Sequence, residues 1–321
     1  MNQSVTSFEP AIGVSSCLLG KPVRFDGGHK LDRYITEVLG KVFAFVPVCP
    51  EVETGMGVPR ETIDLHGTRT SPRLIGNDSG RDRTQEMKRW SSQRLRRPDF
   101  EHLCGFILKS KSPTCGLKKV RLLDQMGRSS LRGQGLFATA LLRQYPLLPV
   151  VEERELSDES VRENFVVRLF ACHRMQVALD HRPTVRKLTS FHHREICLLD
   201  AHHKDGRRRL DRLLARASSS KPTELRQEYA IEFMRILKLK STQAKRISVL
   251  KGICRTLMKH DPVSGMSKSI GLIDDYRRGR CDLHRPWSML RGCAETYGVR
   301  ELLAQSWLFP DEREVNLRCR T

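Results

Sequence analysis

Four short apolar runs, each bounded by Gly or Pro, constrain this chain more than any other feature. Residues 11–16 (AIGVSS), 42–49 (VFAFVPVC), 105–110 (GFILKS) and 146–151 (PLLPVV) read as buried strands. Between them, residues 33–39 and 81–99 read as helices, and a further helix is expected at 136–144. Runs that are apolar throughout, without alternation, suit strands covered on both faces. The expected fold class is therefore α/β: a three-layer N-terminal domain with a mostly parallel sheet. Ligands of such sheets bind at the carboxyl ends of the strands.

The pattern changes near Ser157, where Ser-Asp-Glu starts a helix and Phe165, Leu169, Phe170, His173 and Val177 recur at helical spacing. Helices are expected at 184–200, 204–217, 223–239, 242–259, 266–278 and 287–297, with loops at 217–222 and 260–265. An all-helical C-terminal domain follows. The expected boundaries are 1–155 for the first domain, 156–185 for a helical connector and 186–321 for the helical domain.

With 39% hydrophobic residues among 321, the chain can build a core in each part, which excludes wholesale disorder. No apolar run approaches the roughly 18 residues of a membrane span, and no basic stretch followed by an apolar segment opens the chain. We expect no membrane partner and a cytoplasmic location. The ten Cys are dispersed, unlike the framework of a small disulfide-rich domain. In a reducing compartment they are core thiols, metal ligands or catalytic groups.

Three of them, Cys17, Cys49 and Cys115, sit in Gly/Pro-rich turns at or near strand ends. If the sheet is parallel these turns share one edge, and the thiols converge on one point. Read from spacing alone they are either small buried hydrophobes or cluster ligands. Three thiolates would leave one iron of a [4Fe–4S] cluster open to substrate. Cys104 begins a strand and reads as core.

The segments Ile12-Gly-Val-Ser-Ser-Cys-Leu-Leu-Gly20, Val23-Arg-Phe-Asp-Gly-Gly28, Val46-Pro-Val-Cys-Pro-Glu-Val52, Gly55-Met-Gly-Val-Pro-Arg-Glu61 and Ser110-Lys-Ser-Pro-Thr-Cys-Gly116 together resemble the motif set of the thiouracil desulfurase (TudS) family. Gly133-Gln-Gly-Leu-Phe137 resembles that family's closing motif. The resemblance implies a [4Fe–4S] cluster held by Cys17, Cys49 and Cys115, with the open iron taking the sulfur of a thiolated pyrimidine. It implies catalytic roles for Glu51 and Ser112. Glu51 can serve as a base on water or an acid to the ring nitrogen, and Ser112 can orient either. Ordinary alternatives stand beside these roles: a salt bridge or helix-cap contact for Glu51, and a turn hydroxyl bonding its own backbone for Ser112. Arg60 suits a phosphate or the base, or equally an Asp/Glu bridge.

Residues from about 158 to 318 resemble, less tightly, the YbgA-like helical domain often fused to this desulfurase domain. The pieces are Arg162-Glu-Asn-Phe165, Arg168-Leu-Phe-Ala171, Ile247-Ser-Val-Leu-Lys251, Ile273-Asp-Asp-Tyr-Arg-Arg-Gly279, Gln305-Ser-Trp-Leu-Phe-Pro310 and Asn316-Leu-Arg318. Two departures occur: His192-His193-Arg194 stands at the family's His-Lys-Tyr, and Ser248 at its Asn. The two-domain arrangement resembles tRNA 4-thiouridine desulfidases, which implies tRNA as partner.

The net charge of +20, shared by both halves, agrees with a polyanionic partner. Arg207, Arg208, Arg209, Lys238, Lys240, Lys245 and Arg246 form basic stripes on expected helices and are candidate RNA contacts. Each such run can also be a solvated helix face. His192, His193, His202 and His203 read as a polar, partly RNA-facing surface rather than a zinc site, because adjacent helical residues point about 100° apart. Cys172, Cys197, Cys254, Cys281, Cys293 and Cys319 read as core or incidental thiols. The expected activity is removal of sulfur from a thiolated uracil, foremost 4-thiouridine in tRNA. The alternatives are a desulfurase of free thiouracil or thionucleosides, and a non-catalytic cluster-bearing RNA-binding protein.

Overall fold

A computed structural model describes residues 9–179, 184–217, 221–260 and 266–319. The chain forms two compact units, the first running as far as Arg174 and the second starting at Met175.

In the first unit, β1 (Ala11–Ser15), β2 (Ala44–Val48), β5 (Leu103–Leu108) and β8 (Val150–Glu152) form one sheet in the order β2-β1-β5-β8, with every pair parallel. Strand β5 is buried along its whole length, as an inner parallel strand must be. Its alternate residues meet different layers. On one face Phe106 packs edge-on against Phe137, at 5.8 Å between ring centres, in α3 (Leu136–Gln144), beside Trp90 of α2 (Thr84–Arg94). On the other, Gly105 lies so close to Leu169 of α4 (Glu159–Ala178) that a Cβ would come within 2.2 Å of it. Gly13 on β1 is held to glycine in the same way, since a Cβ there would enter the Phe106 ring at 2.2 Å.

These are the three expected layers, with strand ends shifted by a residue or a few. Two helical expectations shift more. Residues 33–39 form a wide π turn at Tyr34–Val38, followed by a tight turn at Leu39–Lys41. The stretch 81–99 holds a shorter helix, α2, and a separate turn at Pro98–Phe100. Cys104 is fully buried in β5, as expected. Helix α4 belongs to the first unit as far as Arg174, so this part of the expected connector is packed core rather than linker: Phe165 and Phe170 are buried, and Phe170 meets Phe43 at 5.4 Å.

A second sheet has no counterpart among the apolar runs. Strands β3 (Ile63–Gly67), β4 (Pro72–Gly76), β6 (Val120–Leu123) and β7 (Ser129–Gly133) take the order β4-β3-β6-β7, two antiparallel hairpins joined by a parallel β3–β6 pair. Its core is small, Leu65, Leu74, Met87, Val120, Leu122 and Leu136. A short helix, α1 (Pro50–Glu53), follows β2.

The second unit is helical among its described residues: α5 (Val185–Ala215), α6 (Pro222–Leu237), α7 (Gln243–Met258), α8 (Met266–Arg277), α9 (His284–Thr296), α10 (Arg300–Leu303) and α11 (Glu312–Cys319). Helix α5 contains the expected break. His203 leaves helical geometry (φ −161°, ψ 96°), and its Nδ1 accepts from the Gly206 amide at 2.8 Å, capping the following turns. Phe191, Tyr229 and Phe233 form the aromatic centre of the unit. Most of the expected loops at 217–222 and 260–265, residues 218–220 and 261–265, lie outside the described residues, as does the side chain of Cys319. No helix among the described residues is long and apolar enough to cross a membrane.

Candidate active site

Because β1, β2 and β5 run parallel, the turns that follow them leave the same edge of the sheet. Cys17 lies in a tight turn after β1, Cys49 caps α1 directly after β2, and Cys115 lies in the loop after β5. All three line one cavity of about 510 Å³ together with Glu51, Ser112, Lys109 and Arg60. All three are unpaired thiols. Among the described residues no group of three or more His, Cys, Asp or Glu side chains is placed to hold a single metal ion.

Burial sets the state of these thiols. It pushes Cys17 up to about 11 and Cys49 up to about 12, and it raises buried Cys115 well above the usual thiol value. The Glu51 carboxylate raises all three further. Burial therefore favours the protonated thiols, although Cys49 stands at the N-cap of α1 and Lys109 and Arg24 act against the shift at Cys17.

Among the described residues Glu51 forms no salt bridge, and its contact with the cap of α1 is to the side chain of Cys49. Thr114 Oγ1 donates to its Oε1 at 2.7 Å, and the Cys49 thiol donates to its Oε2 at 3.6 Å. Ser112 Oγ accepts from the Thr114 and Cys115 amides at 3.2 and 3.1 Å, so it does bond its own turn. It also lies 2.9 Å from Thr114 Oγ1. Thr114 has one hydroxyl proton and spends it on a carboxylate that can only accept, so Ser112 must be the donor to Thr114. The result is a directed chain, Ser112 to Thr114 to Glu51, that joins the second and third cysteine loops. Thr114 is fully buried. Sequence reading passed over it, although its position between Ser112 and Cys115 was a signal.

Other carboxylates fix the loops from behind. Glu53 Oε1 accepts from the Cys49 amide at 3.0 Å, while its Oε2 holds buried Arg94 at 3.0 Å. At the end of β8, Glu152 accepts from the Leu117 amide at 2.8 Å, and Glu153 accepts from the Ser110 amide at 2.7 Å. The third cysteine loop is thus gripped on both sides. Burial works against the charge of Glu153, but bonds from Lys109 and Ser110 keep its carboxyl below the ordinary range. Gly135 forms the seat of this loop, because a Cβ there would lie 2.3 Å from the Thr114 carbonyl oxygen. The Gly135 amide donates to the Gly116 carbonyl at 2.8 Å, and the Ala138 amide to that of Thr114 at 3.1 Å. The Gly133–Phe137 motif holds the cysteine loop.

Among the described residues Arg60 forms no ion pair with an Asp or Glu. Its guanidinium donates to the carbonyls of Val23 and Gly57, each at 3.0 Å, pinning the 23–28 loop at the cavity rim.

A model of the 2-thiouracil desulfurase family matches residues 12–153. A second, described as a protein of unknown function (DUF1722), matches residues 197–311, within the segment that resembles the YbgA-like domain. A solved structure described as a [4Fe-4S]-dependent thiouracil desulfidase, TudS, is 31% identical over 46% of this chain and 94% of its own, with a TM-score of 0.38. The chain belongs to the 2-thiouracil desulfurase family. No curated protein matches it. The desulfurase-family region contains every cavity-lining thiol and both carboxylate grips on the third loop.

The remaining sequence candidates lie in the second unit. Arg207 is half-buried and tied to Asp200 at 2.6 Å and to Asp211 at 2.5 Å, so it is a structural cation rather than part of an open basic stripe. Arg208 pairs with Asp205 and Arg209 with Glu232, both pairs at the surface. Lys238 and Lys240 are exposed, Lys245 donates to the Lys240 carbonyl, and Arg246 to Ser241 Oγ. Two of the four histidines do not face solvent, which corrects the polar-surface reading. His192 is buried between Tyr229 and Asp211, and His202 is buried with Nδ1 2.6 Å from the Leu239 carbonyl. Burial pushes His202 down to about 4 and lowers His192 against the pull of Asp211.

Proposed function

We propose that the protein is a [4Fe–4S]-dependent desulfidase of thiolated uracil that acts in the cytoplasm on 4-thiouridine in tRNA, giving uridine and hydrosulfide. The observation that carries this reading is the meeting of three unpaired thiols and one hydrogen-bonded carboxylate on a single cavity. The donor set fits a cluster. Three soft sulfurs from three loops line one cavity, the ligand type and number that a cluster with one open iron takes. Cys17, Cys49 and Cys115 would hold it, and bound there it supplies a thiophilic Lewis acid with one iron lacking a protein ligand.

The chain's own groups account for the rest. Glu51 takes a proton from the water whose oxygen replaces sulfur on the ring carbon, and the Ser112–Thr114 relay fixes its carboxylate for that task. Water enters and hydrosulfide leaves, so atoms balance without net electron transfer. Arg60, already holding two carbonyls at the rim, positions the loop over the substrate and is within the cavity lining to contact it. The case for tRNA rests on charge: +20 overall, with exposed Lys238 and Lys240 and surface Arg208 and Arg209 as phosphate contacts in the second unit. A free base needs no such field.

The test uses anaerobically reconstituted protein with thiolated tRNA and with free 2-thiouracil, following loss of the thiocarbonyl absorbance over a salt series. Turnover of the RNA should fall steeply with salt and that of the free base should not. Cys17→Ala, Cys49→Ala and Cys115→Ala should each lose cluster absorbance and activity, whereas Cys104→Ala keeps both. A cluster-loaded protein that desulfurates neither substrate overturns the proposal.

A further inference from the structure

A second concavity of the first unit, about 1020 Å³, is lined by Arg69, Lys88, Arg96, Lys119, Arg132 and Arg143 without one Asp or Glu in its walls. All six are exposed, and none forms an ion pair among the described residues. Lys118 also lines it and is the exception, paired with Glu155 at 2.6 Å. Elsewhere in this unit arginines are regularly neutralised, as Arg73 is by Asp82, Arg94 by Glu53 and Arg128 by Asp124. Six uncompensated cations around one groove repel one another unless an anion enters.

One loop that joins the groove to the sulfur cavity carries a cysteine. Ser112, Pro113 and Cys115 line the cavity, and Leu117, Lys118 and Lys119 line the groove. Lys111 and Lys119, at φ 62° and 54°, are the two non-glycine residues among those described with left-handed backbone, and they bracket that loop. Each conformation costs about 1 kcal/mol, and each turns a lysine outward, one at the cavity and one at the groove.

No Phe, Tyr, Trp or His lines the groove, so it offers no platform for unstacked bases. Cations without stacking surfaces suit phosphates whose bases are already paired. The geometry points to this groove as a docking site for the phosphodiester backbone of a double-helical RNA stem, which presents the substrate base to the neighbouring cavity. This inference rests on the RNA-desulfidase reading and adds to it a binding surface on the desulfurase-family unit itself.

The experiment measures anisotropy of a fluorescent RNA hairpin with full-length, cluster-loaded protein over a potassium chloride series. Arg132→Glu/Arg143→Glu is compared with wild type, and Arg132→Gln/Arg143→Gln guards against misfolding by charge reversal. Each lost phosphate contact lowers the slope of log affinity against log salt by about one, so the slope should fall by about two and affinity by about tenfold or more. Turnover of free 2-thiouracil should be unchanged, because neither arginine lines the cavity. Unchanged hairpin affinity and slope in both variants overturn the groove while leaving the desulfidase reading intact. Wild type that turns over free thiouracil but neither binds nor desulfurates RNA overturns both the groove and the tRNA substrate. A single-stranded oligonucleotide of equal length competing as well as the hairpin overturns the choice of a paired stem.

Discussion

Thr114→Val probes the link between the two halves of the proposed chemistry. Valine keeps the shape of the buried side chain but removes the hydroxyl that donates to Glu51 at 2.7 Å and accepts from Ser112 at 2.9 Å. A buried hydrogen bond to a charged group contributes about 1.5–3 kcal/mol. Glu51 is only half-buried, so a carboxylate freed from Thr114 can turn toward water instead of remaining unpaired. The loss therefore falls on orientation for proton transfer, and kcat for free 2-thiouracil should drop by about 10- to 150-fold, with KM changed little. Thr114→Ser retains the hydroxyl and should recover most of the rate. Cluster absorbance and melting temperature report whether the third loop has moved, independently of turnover. Full kcat in a cluster-loaded Thr114→Val protein would refute the positioning argument. An equal loss in Thr114→Ser would show that the methyl group, through packing, was what mattered.

Gly135→Ala places a Cβ 2.3 Å from one backbone atom of the cysteine loop and 2.9 Å from another, the Cys115 amide nitrogen. Neither can yield without moving Cys115, so the variant should lose about 1–3 kcal/mol in urea unfolding and release its cluster faster to a chelator; wild-type behaviour in both assays would contradict the seat described for α3. The second unit should be acid-sensitive. Folding lowers the pKa of His202 from 6.5 to about 4, mainly by burial and with Arg246, Arg318 and Lys245 opposing its charge, so the neutral form is the one folding favours. That contribution is complete above pH 6.5 and is lost as pH falls toward 4, by about 3 kcal/mol in all. His192, lowered as well, adds to the same slope. Comparing urea stability of wild type and His202→Gln between pH 7 and 4 isolates the first effect, and parallel curves would contradict it.

The parallel sheet and its three cysteine turns were legible because buried parallel strands are written as unbroken apolar runs, and loops at their carboxyl ends must share an edge. The second sheet was not, because strands such as β7, mostly exposed, are specified by partners far along the chain and not by local composition. The run Arg207 to Arg209 appeared as open positive charge because its neutralising acids stand at positions 200, 205 and 211 and across on α6, at Glu232. The reverse holds for the groove. Its cations, from Arg69 to Arg143, are scattered through the sequence in ones and twos, and only folding gathers them. Thr114 escaped notice because a hydroxyl between a serine and a cysteine is ordinary in a turn until its partner 63 residues away is known.

The strand order has a consequence in time. Because β5 pairs directly with β1, nearly a hundred residues of chain must close before Cys115 joins Cys17. Pairing of that range is slow compared with local helix formation. During the interval the thiols that will face one another across the cavity are exposed, mobile and free to form the wrong bond. Refolding in air should therefore trap disulfide-linked chains that no later supply of iron can load, whereas refolding under reductant restores a competent site.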